Sequence, residues 1–202
     1  MNWKAIFFIG LLGFGGFQHF QKREIFHGVG EVASEAPLQR NLDIRDTQNI
    51  NGYEITPLAR FSIKARVLAS KNYHFGREAD LSPVDFALGW GAMSDEIVLN
   101  KIEISQSNRF YFWHVDEFPI PREAIETQSA NMHMIPADRL VEKRLKSVRV
   151  GQIVELNGFL VEAKASDGWR WKSSLTRNDT GNGACEVLLV KSIEHLPAHS
   201  PS

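Results

Sequence analysis

The sequence has only one cysteine, Cys185, among 202 residues, so no disulfide can form within the chain. It also lacks a charge excess, since 23 basic residues stand against 24 acidic ones. The first 28 residues hold three basic residues and one acidic residue, which leaves 20 basic and 23 acidic residues in the rest. A dedicated nucleic-acid binder needs a basic surface to displace counterions from phosphates. We therefore expect no nucleic-acid partner.

Two further kinds of pattern are missing from the sequence. No spacing of His, Cys, Asp and Glu matches a complete set of metal ligands. No nucleophile elbow, the sharp turn that presents a catalytic serine in many hydrolases, is present either. We expect neither a metal nor a cofactor, and the sequence does not name a reaction.

An apolar run opens the chain. The segment from Ala5 to Gln21 contains no Asp, Glu, Lys or Arg, and as a helix it would be roughly 25 Å long at about 1.5 Å per residue. A bilayer core is about 30 Å thick. We predict that residues 1–22 form an uncleaved membrane anchor, with residues 3–20 in contact with lipid. A cleaved signal peptide and a buried core helix are the alternatives.

The anchor prediction sets the expected location and domain order. A short N-terminus before a single span favours export of the chain beyond the span, so we expect an inner-membrane protein with its globular part in the periplasm. Residues 23–52 have weak periodicity and several glycines, which is typical of a linker. We expect one β-rich domain over residues 53–196 and a tail over residues 197–202.

Strand patterns dominate that domain. Phe61–Val67 alternates strictly between apolar and polar side chains, which predicts a half-buried strand. Ile153–Lys164 also alternates, but its phase slips at Gly158, which indicates a bulge or sharp bend. Curled strands of this kind build small barrels. We predict a mainly β (α+β) fold, a small OB-like, partly open barrel with short inserted helices. An α+β sheet with helices on one face is the alternative.

Other segments predict helices or a central strand. Ser82 followed by proline is typical of a helix start, so we expect a helix over about Pro83–Leu88. Asp138–Lys146 has an apolar stripe and a basic C-terminal end, and also predicts a helix. Arg109–Val115 is apolar on both faces, which predicts a strand covered on both sides.

The most distinctive stretch runs from Gly168 to Glu186. Alternation places Trp169 and Trp171 on one face of a strand and Arg170 on the other. The polar loop after this strand is longer than a hairpin requires. Aromatic and basic side chains together can stack on a ligand and hold its polar groups. The predicted ligand-binding residues are Trp169, Arg170, Arg177, Asn178 and Asp179, together with Asn131 and His133 from another strand.

A hydrolase is the second hypothesis. A nucleophilic serine needs a histidine within hydrogen-bond reach and a carboxylate that orients the histidine. The candidates for such a set are His133, Ser129, Ser173 and Asp179.

Three stretches also resemble a bacterial family of membrane-anchored proteins to which no activity is assigned. They are Gly89–Asp95, Ser129–Pro136 and Gly168–Glu186, and the similarity extends over roughly residues 55–195. The resemblance implies a bacterial envelope origin and carries over no site residue. The leading expectation is therefore a membrane-anchored binding or accessory domain of the cell envelope, with a peptide, a glycan or a protein as its partner.

Overall fold

A computed structural model describes residues 23–43, 46–176 and 185–196. Within these ranges the chain is mainly β, with 47% strand and 16% helix, as predicted. The strands are β1 (Leu38–Asn41), β2 (Gln48–Ile50), β3 (Tyr53–Asn72), β4 (Val84–Gly89), β5 (Glu103–Ser107), β6 (Phe110–His114), β7 (Ser129–Pro136), β8 (Ile153–Lys164), β9 (Arg170–Lys172) and β10 (Glu186–Leu196). The helices are α1 (Arg77–Leu81), a 3-10 helix (Gly91–Ser94), α2 (Glu96–Leu99), α3 (Arg122–Thr127) and α4 (Arg139–Lys146).

The large sheet is mixed and curls into a partly closed ring. Its pairings run from β3 to β4, β7, β10, β8 and back to β3, with only β7 and β10 parallel. The 20-residue strand β3 allows this curl because Glu54–Arg66 pairs with β8 and Arg66–Asn72 pairs with β4. Strands β1 and β2 add to β3, β9 adds to β8, and β5 and β6 form a separate hairpin.

The predicted strand over Ile153–Lys164 is present as β8. Gly158 lies where β8 comes very close to the neighbouring strand β10. A Cβ atom at Gly158 would come within 2.0 Å of the Leu189 carbonyl oxygen. The register shift at this point lies on the facing strand β10, between Val190 and Ser192. The glycine therefore permits close approach of a neighbouring bulged strand.

The interior of the ring is filled by apolar side chains from all five of its strands, including Phe61, Phe86, Met132, Leu156 and Leu188. Helix α4 packs against this core through Val141 and Leu145. The helix starts as predicted, because the Asp138 carboxylate accepts hydrogen bonds from two backbone N–H groups of the first turn.

The predicted helix over Pro83–Leu88 is wrong, because this segment is strand β4. Val84, Phe86 and Leu88 point into the core of the ring, and that period of two outweighs the helix-start signal from Ser82 and Pro83.

The prediction that Arg109–Val115 is a central strand is also wrong. Strand β6 belongs to the two-stranded hairpin, and its side chains alternate between half-buried and exposed. Phe112 is 52% exposed, whereas Tyr111 and Trp113 pack on a separate apolar cluster that includes Met93, Val98 and Ile125, called here the hairpin cluster.

The segment that precedes β1 lies along the domain. Ile25 N–H donates to the Val150 carbonyl at 2.9 Å, and Gly91 N–H donates to the Ala33 carbonyl at 2.8 Å. Ala33 is buried, and β1 and β2 pair with β3. The predicted linker over residues 23–52 thus contains residues that pack on the domain.

The predicted anchor over residues 1–22 lies outside the described residues. In the part of the chain that the structure covers, no helix is long and apolar enough to cross a membrane.

Candidate ligand-binding site

A buried cross-strand pair forms the base of the candidate site. Strands β4 and β7 are antiparallel, and Asp85 lies directly opposite His133. Because Val84 and Phe86 point into the core of the ring, alternation turns Asp85 to the outer face. The side chains of Asp85 and His133 are only 1% and 3% exposed, so a cover must lie over the outer face here.

Arg109 compensates the Asp85 carboxylate. Its guanidinium Nη1 lies 2.7 Å from Asp85 Oδ1 and also donates to the Ser82 carbonyl at 2.9 Å. His133 Nδ1 lies 3.0 Å from the same carboxylate oxygen, but the angle is not that of a hydrogen bond. Among the described residues, neither His133 Nδ1 nor Asp85 Oδ2 has a hydrogen-bond partner.

The hairpin of β5 and β6 brings Arg109 to this position. Its two-residue turn, Asn108 and Arg109, has φ angles of 50° and 69°, and positive φ at both central residues matches the twist of a hairpin. The Asn131 amide donates to the Arg109 carbonyl at 2.9 Å and accepts from Gln106 Nε2 at 2.7 Å. The turn is thereby tied to β7 over the outer face of β4 and β7.

Tyr73 closes one side of this cluster. The Arg109 guanidinium lies 3.7 Å from the centre of the Tyr73 ring, and Arg109 N–H donates to the Tyr73 hydroxyl at 3.2 Å. Burial and then the negative charge of Asp85 raise the pKa of Tyr73. The phenol therefore stays neutral beside the carboxylate.

A row of half-buried aromatic rings leads outward from His133. Ring centres are separated by 4.6 Å between His133 and Trp171, by 6.0 Å between Trp171 and Trp169, and by 5.5 Å between Trp169 and Tyr53. The tryptophans pack on an apolar cluster outside the ring core, which includes Ile135 and Val187. We call Tyr53, Trp169 and Trp171 the aromatic row.

An exposed ion pair borders the aromatic row. Arg77 lies over the Trp169 ring, 5.6 Å from its centre, and its Nη1 donates to the Asp167 carboxylate at 3.2 Å. Hydrogen bonds from Arg77 and from the Trp169 N–H lower the pKa of Asp167. The carboxylate therefore stays ionised and continues to hold Arg77 beside the ring.

The structure brings together three of the predicted site residues. Asn131, His133 and Trp169 all belong to the covered face or to the row beside it, together with Trp171. Arg170 is exposed and pairs with Glu162 on β8. Arg177, Asn178 and Asp179 lie outside the described residues.

The serines proposed to act with His133 are engaged elsewhere. The Ser129 hydroxyl donates to the Ile125 carbonyl at 2.6 Å and accepts from Tyr111. The Ser173 hydroxyl donates to the Ser174 carbonyl at 2.8 Å and accepts from Val187 N–H. The carboxylate beside His133 is that of Asp85. In the described ranges, no group of three His, Cys, Asp or Glu side chains is placed to hold a metal ion.

Sequence reasoning missed Asp85, Arg109 and Tyr73. Alternation of Val84, Phe86 and Leu88 was the signal for a strand that would place Asp85 on its outer face. The pairing of Asp85 with Arg109 had no local signal, because it depends on where the hairpin folds back.

No family model, no curated protein and no solved structure matches this chain. The resemblance to a bacterial membrane-anchored family therefore stays an expectation.

Proposed function

We propose that the protein is a membrane-anchored binding module of the bacterial cell envelope, with a glycan as its ligand. The observation that carries this proposal is the aromatic row beside the ion pair of Arg77 and Asp167. Each ring is fixed on one side by the apolar cluster and is still only half-buried. Fixed rings with open faces suit stacking on a sugar, while the charged groups suit hydrogen bonds to hydroxyls.

The place of the row in the fold supports the same proposal. We infer that the ring of β3, β4, β7, β10 and β8 is an OB-like barrel. OB-folds bind oligosaccharides and oligonucleotides on the face of their second and third strands and through the loops after the first and fourth strands. Here the corresponding loops carry Arg77 on one side and Trp169 and Trp171 on the other. The mildly acidic chain favours the oligosaccharide.

The hairpin restricts the surfaces on which a ligand can bind. The face formed by β4 and β7 is covered by the turn that carries Arg109, and Asp85 and His133 beneath it are buried. A ligand on this barrel would therefore use the aromatic row at the loop end. Arg177, Asn178 and Asp179 come after Trp171 in sequence and stay predicted contacts of the same ligand.

The location is part of the proposal. The apolar segment from Ala5 to Gln21 supports a single-pass anchor in the inner membrane, with the domain in the periplasm.

The hydrolase hypothesis needs a free serine beside His133. Because the hydroxyls of Ser129 and Ser173 bond to backbone groups, we prefer the binding module.

Calorimetry tests this proposal directly. Full-length protein in detergent micelles would be titrated with an oligomer of N-acetylglucosamine, and we expect saturable binding. A nucleobase stacked on one aromatic side chain contributes about 1–3 kcal/mol. With the lower end of that range for a sugar ring, Trp169→Ala should weaken binding by about five-fold. Trp113→Ala is the matched control. Trp113 belongs to the hairpin and packs against the hairpin cluster, outside the aromatic row.

Two outcomes would overturn the glycan assignment. One is the absence of binding by the unaltered protein, and the other is an equal effect of the two tryptophan substitutions. Binding of a proline-rich peptide, lost in Trp169→Ala, would keep the surface and replace the ligand class.

A further inference from the structure

A strongly basic groove lies at helix α4 and the loop after it. The groove has a volume of about 820 Å³ and also borders the end of β3. Its charged lining consists of Arg139, Lys143, Lys146, Arg149 and Glu142. Four positive charges and one negative charge leave a net charge of three positive. The chain beyond residue 28 is mildly acidic, so this local concentration of cations indicates an anionic partner.

Among the described residues, most of these cations are not paired with an acidic side chain. Lys146 pairs with Glu142, one turn away on the same helix. Within the described ranges, Arg139, Lys143 and Arg149 have no acidic side chain in salt-bridge contact. Their charge is therefore available to a partner outside the chain.

The groove also lies close to the point where the predicted anchor would join the domain. Ile25 N–H donates to the carbonyl of Val150, which lines the groove, and His27 Nε2 lies 2.6 Å from the Gly151 carbonyl. Two residues of chain span at most about 7 Å, so Arg23 lies near the rim. Phe26, between the two bonded residues, is 69% exposed, as is typical of an aromatic side chain at a membrane interface.

We propose that this groove docks on the anionic phospholipid headgroups of the membrane that holds the anchor. The inference rests on the anchored location in the proposed function and adds a second contact with the same membrane. A Lys or Arg near an anionic leaflet strengthens association by about five-fold, and an anchor that joins the chain beside the rim keeps the cations within reach of the headgroups. The effect is electrostatic, so salt should weaken it.

Lysine labelling in nanodiscs tests the docking. Full-length protein would be placed in discs of phosphatidylcholine alone or of phosphatidylcholine with phosphatidylglycerol, and reacted with an amine reagent. We expect several-fold slower labelling of Lys143 in the anionic discs at low salt, with recovery at high salt. Lys172, which is exposed at the opposite end of β8, should label at equal rates in both.

Substitutions separate docking from anchoring. The double variant Arg139→Gln and Arg149→Gln should lose most of the protection of Lys143, whereas Lys172→Gln should keep it. If the protein enters both kinds of disc and Lys143 reacts equally in both, the docking is overturned and the anchor stands. If the protein enters neither, the anchor and the docking are both overturned.

Discussion

At the scale of single residues, the buried Asp85 carboxylate carries a desolvation cost. Removing an ionised carboxylate from water costs several kcal/mol, and a paired charge offsets this cost only with good geometry. Arg109 supplies that charge at 2.7 Å, and its other contacts to Ser82 and Tyr73 hold the guanidinium in place. We infer that this pair fixes the position of the hairpin more than it adds to net stability.

We expect Arg109→Met to lower the free energy of unfolding by about 3–5 kcal/mol, because it leaves a buried carboxylate unpaired. Urea unfolding followed by circular dichroism measures this change. Arg122→Met is the control, since Arg122 pairs with Glu126 on an exposed helix surface, and it should cost less than about 0.5 kcal/mol.

The double variant Asp85→Leu and Arg109→Met sharpens the test. Because apolar replacement of both partners removes the unpaired charge, much of the lost stability should return. Equal costs for Arg109→Met and Arg122→Met would contradict the assigned role of Arg109.

At the scale of elements, the hairpin of β5 and β6 covers the outer face of β4 and β7 in the partly closed ring. Asn131 ties its turn to β7, and Tyr111 reaches Ser129 at the start of the same strand. The alternation in parts of β3 and β8 and the helical pattern of α4 could be predicted from the sequence because those signals are local. The prediction of a helix at β4 was wrong because a local helix-start signal competed with the alternation of apolar side chains. The pairing of Asp85 with Arg109 joins residues on separate elements, so no local pattern in the sequence predicts it.

Asn131→Ala should loosen the hairpin. Loss of the amide removes hydrogen bonds to both Arg109 and Gln106, and an unsatisfied buried group costs about 1–3 kcal/mol. We expect faster amide hydrogen exchange in Glu103–His114 and unchanged exchange in β8. Asn72→Ala, at the exposed end of β3, is the control. Equal hydrogen exchange of Glu103–His114 in the two variants would show that Asn131 does not hold the hairpin on β7.

Alkaline pH provides a separate test of the hairpin. Burial raises the pKa of Tyr111 from 10.0 to about 12. The folded state therefore keeps the phenol proton in a range where the unfolded state loses it. Stability from this group is complete below pH 10 and falls between about pH 10 and 12, by up to about 1.4 kcal/mol per pH unit.

Comparison of the unaltered protein with Tyr111→Phe isolates this effect, because other groups titrate equally in both. The unfolding free energy of the unaltered protein minus that of Tyr111→Phe should fall as the pH rises from 10 to 12. A difference that stays constant over this range would show that Tyr111 is not buried as described.

At the scale of the whole molecule, the two proposed surfaces lie at opposite ends of β8. The aromatic row is at the Lys164 end, where β9 pairs, and the basic groove is near Ile153. The strand has 12 residues and would span roughly 36 Å if straight. The proposed ligand site therefore projects away from the proposed membrane contact. The mainly β class could be predicted from the sequence, but the cover that the hairpin forms over β4 and β7 could not, because it depends on contacts between distant segments.

We infer that the aromatic row, and not the covered face, receives the ligand. The most direct measurement is a two-dimensional NMR titration of the tryptophan indole N–H groups in full-length protein in detergent micelles, with an N-acetylglucosamine oligomer as the ligand. We predict that the indole signals of Trp169 and Trp171 shift with ligand, while those of Trp90 in the core and Trp113 on the hairpin stay in place. Unmoved signals from Trp169 and Trp171 at saturating ligand, or shifts confined to Trp90 and Trp113, would contradict the account.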